Sequence, residues 1–365
     1  MSFGSWGVND TNAVKKWSAE LARAERSSLD IDPLIGDDDD SIIQRRKELE
    51  KGKGDKVTYS LRARPTQKGI TASQRAEGNG EALSIFADAL FVDELGCNFG
   101  APSQYKIDAQ RVPFDLREQC KNANRDFWVD RLSISFFNQM CGYTPANADS
   151  ATSGVVFTGM NTVTAPASAQ GNQRQIWAGT ATNDQSLGSS DTFTLALIDK
   201  AVEAAKTGNN KMRPVKIGGK DKYILYLHNA QETALRTSTT TGGWQDITKF
   251  TYSGVSTKDN PLYSGALGEY NNVILRSSQD LTPGVNNGSG VTVANTRRAV
   301  LLGAQAGCIA YGMKHSAGMR YRWSEKLLDH DRLLEVSSWL IWGMKKAVYN
   351  GTDHGALVVS TYSSS

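Results

Sequence analysis

The sequence predicts an α+β protein whose limbs are too long for its body. Three observations carry this. Residues 56–95 alternate apolar and polar side chains over a span that reads as one over-long hairpin. Residues 114–141 repeat apolar side chains at helical spacing for 28 positions, more than twice an average helix. The last sixty residues hold several long apolar-rich segments that read as strands returning to an earlier sheet.

The chain has 365 residues, which bounds it to two or three domains or one large irregular one. Lys and Arg total 41 against 38 Asp and Glu, a net charge of +3, too balanced for a dedicated nucleic-acid-binding domain. Apolar residues are 39% and charged residues 22%, enough apolar material for a core. Gly at 34 of 365, about 9% against a usual ~7%, announces many turns.

Residues 1–55 read as an N-terminal arm. Val14–Arg26 offers a short polar helix, with Val14, Trp17 and Leu21 on one side. Asp37–Asp40 is a solvated acidic loop; it lacks the alternating ligands and glycine of a calcium loop. Met1–Asn12 has no basic patch followed by an apolar run, so no export signal is expected. Without export, the Asn-x-Ser/Thr triplets at Asn9, Asn287 and Asn350 carry no meaning, and no apolar stretch suffices for a membrane span.

In the 56–95 extended loop, Val57, Tyr59, Leu61 and Ala63 alternate with charged and hydroxyl residues, and Leu83, Ile85, Ala87 and Ala89 form the returning strand. The polar tip between them holds Gly69, Gly78 and Gly80. At ~3.3 Å per residue each arm reaches roughly 65 Å, against a radius of gyration of about 21 Å for a compact chain of this size. A two-stranded ribbon is marginal alone in water and its edges invite pairing. Neighbouring subunits that cover it explain it best.

The helix 114–141 follows Pro113. Trp128, Leu132, Phe136 and Met140 form its stripe, widened by Phe127, Ile134 and Phe137, and Gly142 caps it. Residues 147–190 read as loops and short strands, with apolar clusters only at Val155–Phe157 and Ile176–Trp177. A helix is expected over Thr194–Lys206 and strands over Tyr223–Leu227, Asn272–Arg276 and Arg298–Leu302, with Asn229 and Glu232 as a capping box. Three further strands are expected over Met319–Leu328, Leu333–Tyr349 and His354–Tyr362.

No catalytic constellation emerges. His228, His315, His330 and His354 are scattered; His330 with Asp329 and Asp331 reads as a charged turn rather than a metal half-site. Cys97, Cys120, Cys141 and Cys308 form no close pair and read as buried free thiols. Gly52-Lys53-Gly54-Asp55 lacks phosphate-loop spacing, and there is no nucleophile elbow or dinucleotide fingerprint. Asp93 and Glu94 face opposite ways on a strand. Arg62, Arg64 and Arg75 lack the interleaved aromatics of a nucleic-acid ribbon. The expectation is therefore no enzyme, no catalytic, metal-binding or cofactor-binding residue, and no cofactor.

The run Leu49-Glu50-Lys51-Gly52-Lys53-Gly54-Asp55-Lys56-Val57-Thr58-Tyr59-Ser60-Leu61, followed by Glu77-Gly78-Asn79-Gly80-Glu81-Ala82-Leu83, resembles the opening of the major capsid proteins of N-four-type tailed bacteriophages. Leu301–Gly307 and Gly343–Tyr349 resemble the same family's later blocks, and Asp329-His330 and Gly355-Ala356-Leu357 sit at similar places, so the likeness spans about 45–362. The resemblance implies a Hong Kong 97-type capsid fold. Residues 1–55 would be its N-terminal arm and 56–95 its extended loop. Residues 96–189 would be a peripheral domain with spine helix 114–141, 190–305 an axial domain, and 306–365 a return to the peripheral sheet. It implies a virion shell of hexamers and pentamers assembled in the host cytoplasm around double-stranded DNA. The chain itself and a portal protein would be partners, with scaffolding and decoration proteins left open, DNA touched only weakly and no membrane involved. A cargo-holding nanocompartment of the same fold is the alternative.

Overall fold

The computed structural model describes residues 17, 19–25, 29–50, 52–62, 68–82, 85–103, 107–111, 113, 115–145, 161–168, 173–208, 211–217, 219–238, 268–313 and 320–363. In chain order, α1 covers 19–25, followed by strands β1 (Ile35–Gly36), β2 (Ile43–Arg46), β3 (Lys56–Arg62), β4 (Ile85–Phe91) and β5 (Asp93–Pro102). Helices α2 (Ile107–Arg111) and α3 (Leu116–Cys141) come next, then β6 (Gln175–Trp177), α4 (Leu195–Thr207), β7 (Val215–Ile217), β8 (Lys220–Leu227) and α5 (Asn229–Thr237). The rest is strand: β9 (Glu269–Tyr270), β10 (Val273–Ser277), β11 (Gly284–Val285), β12 (Thr292–Val293), β13 (Thr296–Leu302), β14 (Gly307–Tyr311), β15 (Arg322–Leu328), β16 (Leu333–Lys346), β17 (Val348–Tyr349), β18 (Thr352–Asp353) and β19 (Ala356–Tyr362).

Two sheets hold α3 between them. The first has the order β1-β2-β14-β16-β15, with β5 also on β16. Strand β16 is the backbone of this sheet. One edge pairs antiparallel with the whole of β5, from Leu333 opposite Pro102 to Trp342 opposite Asp93; the other is shared by β15 and β14. Its alternate side chains Val336, Leu340, Trp342 and Met344 are buried toward α3, the period-two pattern of a sheet with one packed face. The second sheet has the order β6-β19-β13-β8-β10-β9, with β7 on β8. Strands β13 and β19 are apolar on both faces. Val300, Leu302, Ala356 and Val358 meet the α3 core, while Ala299, Leu301, Leu357 and Val359 meet Ile198, Ala201 and Val202 of α4.

Helix α3 is capped by the Asp115 side chain, which accepts from the Arg117 N–H at 2.9 Å, and ends at Gly142 with φ 68°. The chain therefore enters the helix at Leu116 rather than at 114, because Asp115 offers a side-chain acceptor to the free N–H groups. The expected stripe is present, but burial from Arg131 to Cys141 is all-round because a sheet lies on either side. In α5 the cap sits one residue earlier than expected: His228 Nδ1 accepts from Ala230 N–H at 3.2 Å, and Gln231 rather than Glu232 reaches back to the His228 N–H.

Four expected boundaries change. Residues 29–50 are no free arm: Leu29, Ile31, Leu34, Ile42 and Ile43 are buried in the main core, as is Leu21 of α1, and β2 pairs parallel with β14. The dense charges around them masked this apolar set. The ribbon pairs only Lys56–Arg62 with Ile85–Phe91, and from Asp93 the chain is already β5 of the body sheet, so the limb ends at Phe91 and not at 95. Strand β6, at 175–177, within the span 96–189 expected as a peripheral domain, pairs with β19 in the second sheet. Finally, β14 to β16 lie in the first sheet, whereas β19 pairs with β13 and β6 in the second, the interior place that a strand apolar on both faces requires. The expected cluster Val155–Phe157 lies outside the described residues.

Candidate functional site

The chain's exposed limb is built from the core outward. At its base, Val57, Tyr59, Leu90 and Val92 are buried against Leu49, Cys308, Ala310 and Ala347, on the face of the first sheet away from α3. Tyr59 Oη donates to Asp88 Oδ2 at 2.9 Å, its register partner on β4, and Lys345 Nζ donates to Asp88 Oδ1 at 2.5 Å and to the Ala89 carbonyl at 3.1 Å. Beyond the base the character inverts. Residues 68–82 are exposed at every position, with Arg75 paired to Glu77. A long polar segment at the end of a two-stranded stem is free to lie on a second surface.

Two of the chain's crossings between the sheets, at 303–307 and at 346–356, touch. Gly303 N–H donates to the Gly355 carbonyl at 2.8 Å and Ala347 N–H to the Ala306 carbonyl at 2.9 Å. A Cβ on Gly355 would stand 2.6 Å from the Ala304 carbonyl oxygen and 2.7 Å from Ala306 N, so no larger residue fits there. A buried ion pair joins Lys346 Nζ to Asp353 Oδ1 at 2.9 Å, Lys346 also donates to the Thr164 carbonyl at 2.8 Å, and Arg174 Nε donates to the Asp353 carbonyl at 2.8 Å. The blocks Leu301–Gly307, Gly343–Tyr349 and Gly355–Leu357 of the family resemblance meet at this joint, and Val57 and Tyr59 of the opening block pack on Ala347 beside it.

The structure does not bring the other sequence candidates into a site. His330 lies with Asp329 and Asp331 in an exposed turn, all three at φ between 51 and 67°. Among the described residues no three His, Cys, Asp or Glu side chains converge as metal ligands, and no helix is long and apolar enough to cross a membrane. All four cysteines are free. Burial pushes the thiols up, those of Cys97 and Cys308 to about 11, so they are poor nucleophiles at neutral pH. The acidic run finds basic partners: Asp37 binds Arg45 and Lys47, which hold its carboxyl well below the usual range, and Asp40 meets Arg213 at 2.9 Å. His315, Arg64 and the Arg62 side chain lie outside the described residues.

His228 and His354 give the fold an acid-sensitive term. Burial holds both imidazoles down at about 4, with the positive charges of Arg297 beside His228, and of Arg213 and Arg174 beside His354, acting the same way. Both nitrogens of His354 lack a hydrogen-bond partner among the described residues. An unfolded histidine takes a proton near pH 6.5. Between that pH and about 4 the unfolded chain therefore binds protons that the fold refuses, so this stability is full above pH 6.5 and falls as pH drops through the window. Asp130, Asp280 and Asp353, pushed up chiefly by burial, act in the opposite sense, taking up protons in the fold first. Urea titrations at pH 7 and 4.5 should show a stability loss to which His354 contributes on the order of 2 kcal/mol, the more exposed His228 less, and which the three aspartates partly offset. His354→Gln should shrink that difference.

A family model described as phage capsid protein matches residues 5–365. The chain belongs to the phage capsid protein family. The major capsid protein of Pseudomonas phage KPP25 is 25% identical over 92% of this capsid protein and 90% of its own length. The solved capsid of Ralstonia phage GP4 superposes with a TM-score of 0.76 at 28% identity, covering 100% of this chain and 99% of that one. The capsid of cyanophage Pam1 gives a TM-score of 0.70 at 18% identity, covering 100% and 97%. The capsid protein thus has the Hong Kong 97-type fold and is a structural component of the phage capsid shell. These relatives are phage capsids, so the nanocompartment alternative gains nothing from them.

Proposed function

We propose that copies of this chain close into an icosahedral shell of hexamers and pentamers, each ribbon lying over a neighbouring subunit. The observation that carries this reading is the contrast within one limb: a stem built into the core and a tip exposed at every residue from 68 to 82. An unpaired ribbon edge is a template for another chain, and a second copy is the partner always present at assembly.

The shell would assemble in the host cytoplasm around double-stranded DNA, with a portal protein at one vertex and scaffolding or decoration proteins as further partners. A net charge of +3 suits such a container, because a strongly basic wall would bind phosphate and resist packaging and release. The chain would act without catalysis, cofactor or membrane. Negative-stain microscopy of the purified, expressed chain is the test. Closed particles of uniform diameter are expected. A preparation that stays monomeric at all concentrations would overturn the reading.

A further inference from the structure

The direction in which the ribbon leaves the body is fixed by side chains that belong neither to the ribbon nor to its tip. Only Val92 separates β4, paired to β3, from β5, paired to β16, so the chain changes sheets within one residue. At that bend the Asn161 carboxamide takes both free backbone groups of Phe91. The Phe91 N–H donates to Asn161 Oδ1 at 2.8 Å, and Asn161 Nδ2 donates to the Phe91 carbonyl at 2.8 Å. A side chain here does the work of a strand partner, and it is itself buried. Gln139 of α3 holds it, donating to the Asn161 carbonyl at 3.3 Å. Gly343 of β16 lets the two backbones meet: a Cβ there would lie 1.9 Å from the Phe91 carbonyl oxygen. Two residues along β16 from Gly343, Lys345 grips Asp88 and the Ala89 carbonyl.

We infer that Asn161 and Lys345 are positioning residues for assembly, forming a clasp that sets the angle of the ribbon against the body and so where its tip lands on a second copy. The inference rests on the reading above that the ribbon reaches such a copy. Leverage makes the angle matter. From Asp88 to the middle of the tip the stem can reach up to roughly 50 Å, so a tilt of about 10° at the clasp displaces the tip by roughly 9 Å. That is enough to move a side chain off its partner entirely. The fold does not depend on the clasp to the same degree, because Val57, Tyr59, Leu90 and Val92 remain buried without it.

The test compares full-length variants by circular dichroism, amide exchange and microscopy of assembled particles. A chain with residues 68–82 replaced by a Gly-Ser turn addresses the underlying reading: if it closes normal shells, the ribbon has no assembly role and the clasp falls with it. If that chain fails to close shells, the clasp variants decide. Asn161→Ala and Lys345→Met should keep a native spectrum, exchange faster at the 85–91 amides, and form open or mixed-diameter particles. Lys345→Arg, which keeps a donor facing Asp88, should restore uniform shells. Shells of wild-type diameter from both Asn161→Ala and Lys345→Met would overturn the clasp. Should Asn161→Ala fail to fold, the Lys345→Met and Lys345→Arg pair still decides by the same particle diameters.

Discussion

Replacing Arg298 with Met is expected to cost about 3–5 kcal/mol of folding free energy, the range for stripping one partner from a buried ion pair. Arg298 is 1% exposed and holds Asp184, itself 2% exposed, through Nε at 3.0 Å and Nη2 at 2.7 Å. Its Nη1 donates to the Cys141 carbonyl at 2.9 Å, at the negative end of α3. The substitution leaves Asp184 buried with only neutral donors, namely Gln175 Nε2, Trp177 Nε1 and the Val285 N–H. Those donors place the loss toward the lower end of the range. Urea unfolding of the unassembled chain checks it, and Asp184→Asn added to Arg298→Met should recover part of the loss by removing the stranded charge.

Trp128→Ala should cost a similar amount, about 3–5 kcal/mol, from lost transfer free energy and the cavity left behind. Trp128 is fully buried between Phe127 and Tyr321, with ring centroids 5.3 and 5.2 Å away. It also ends a polar chain inside the apolar core. Its Nε1–H donates to Ser338 Oγ at 2.7 Å, Ser338 donates to Asn124 Oδ1 at 2.5 Å, and Cys97 Sγ donates to the same oxygen at 3.1 Å. Trp128→Phe keeps an aromatic ring but loses the N–H and two ring carbons, so it should cost less, about 2–3 kcal/mol. Equal losses for Ala and Phe in the same urea titration would show that the hydrogen bond, not packing, anchors the helix to the sheet.

The helix and the ribbon stem were legible because each is written in local signals: a four-residue repeat ending at Gly142, and alternation from Val57 onward. The end of the ribbon was not. Ala89 to Val92 is apolar at four consecutive positions, so no local break marks the change of sheet at Val92, and the residues that meet Phe91 at that bend, Asn161 and Gly343, are distant in sequence. The buried core of 29–50 was hidden by the charges of Asp37–Asp40 and the basic residues after them. The destination of β19 could have been suspected, since Ala356–Val359 is apolar at consecutive positions and such a run suits a strand covered on both faces. The buried ions were the largest omission. Lys345 and Lys346 close the expected strand Leu333–Tyr349 with no partner readable nearby in sequence, yet one pairs with Asp88 and the other with Asp353. Charged residues directly abutting an apolar strand run were the signal. The joint between the sheets was legible only through resemblance, because its glycines are defined by backbones that approach one another in space.

Hydrogen–deuterium exchange at the amides of residues 68–82, compared between the unassembled chain and purified shells, tests most directly whether this limb exists to be covered by a sibling. Fast exchange in the free chain and strong protection in the shell are predicted. Equal exchange in both states would contradict the account.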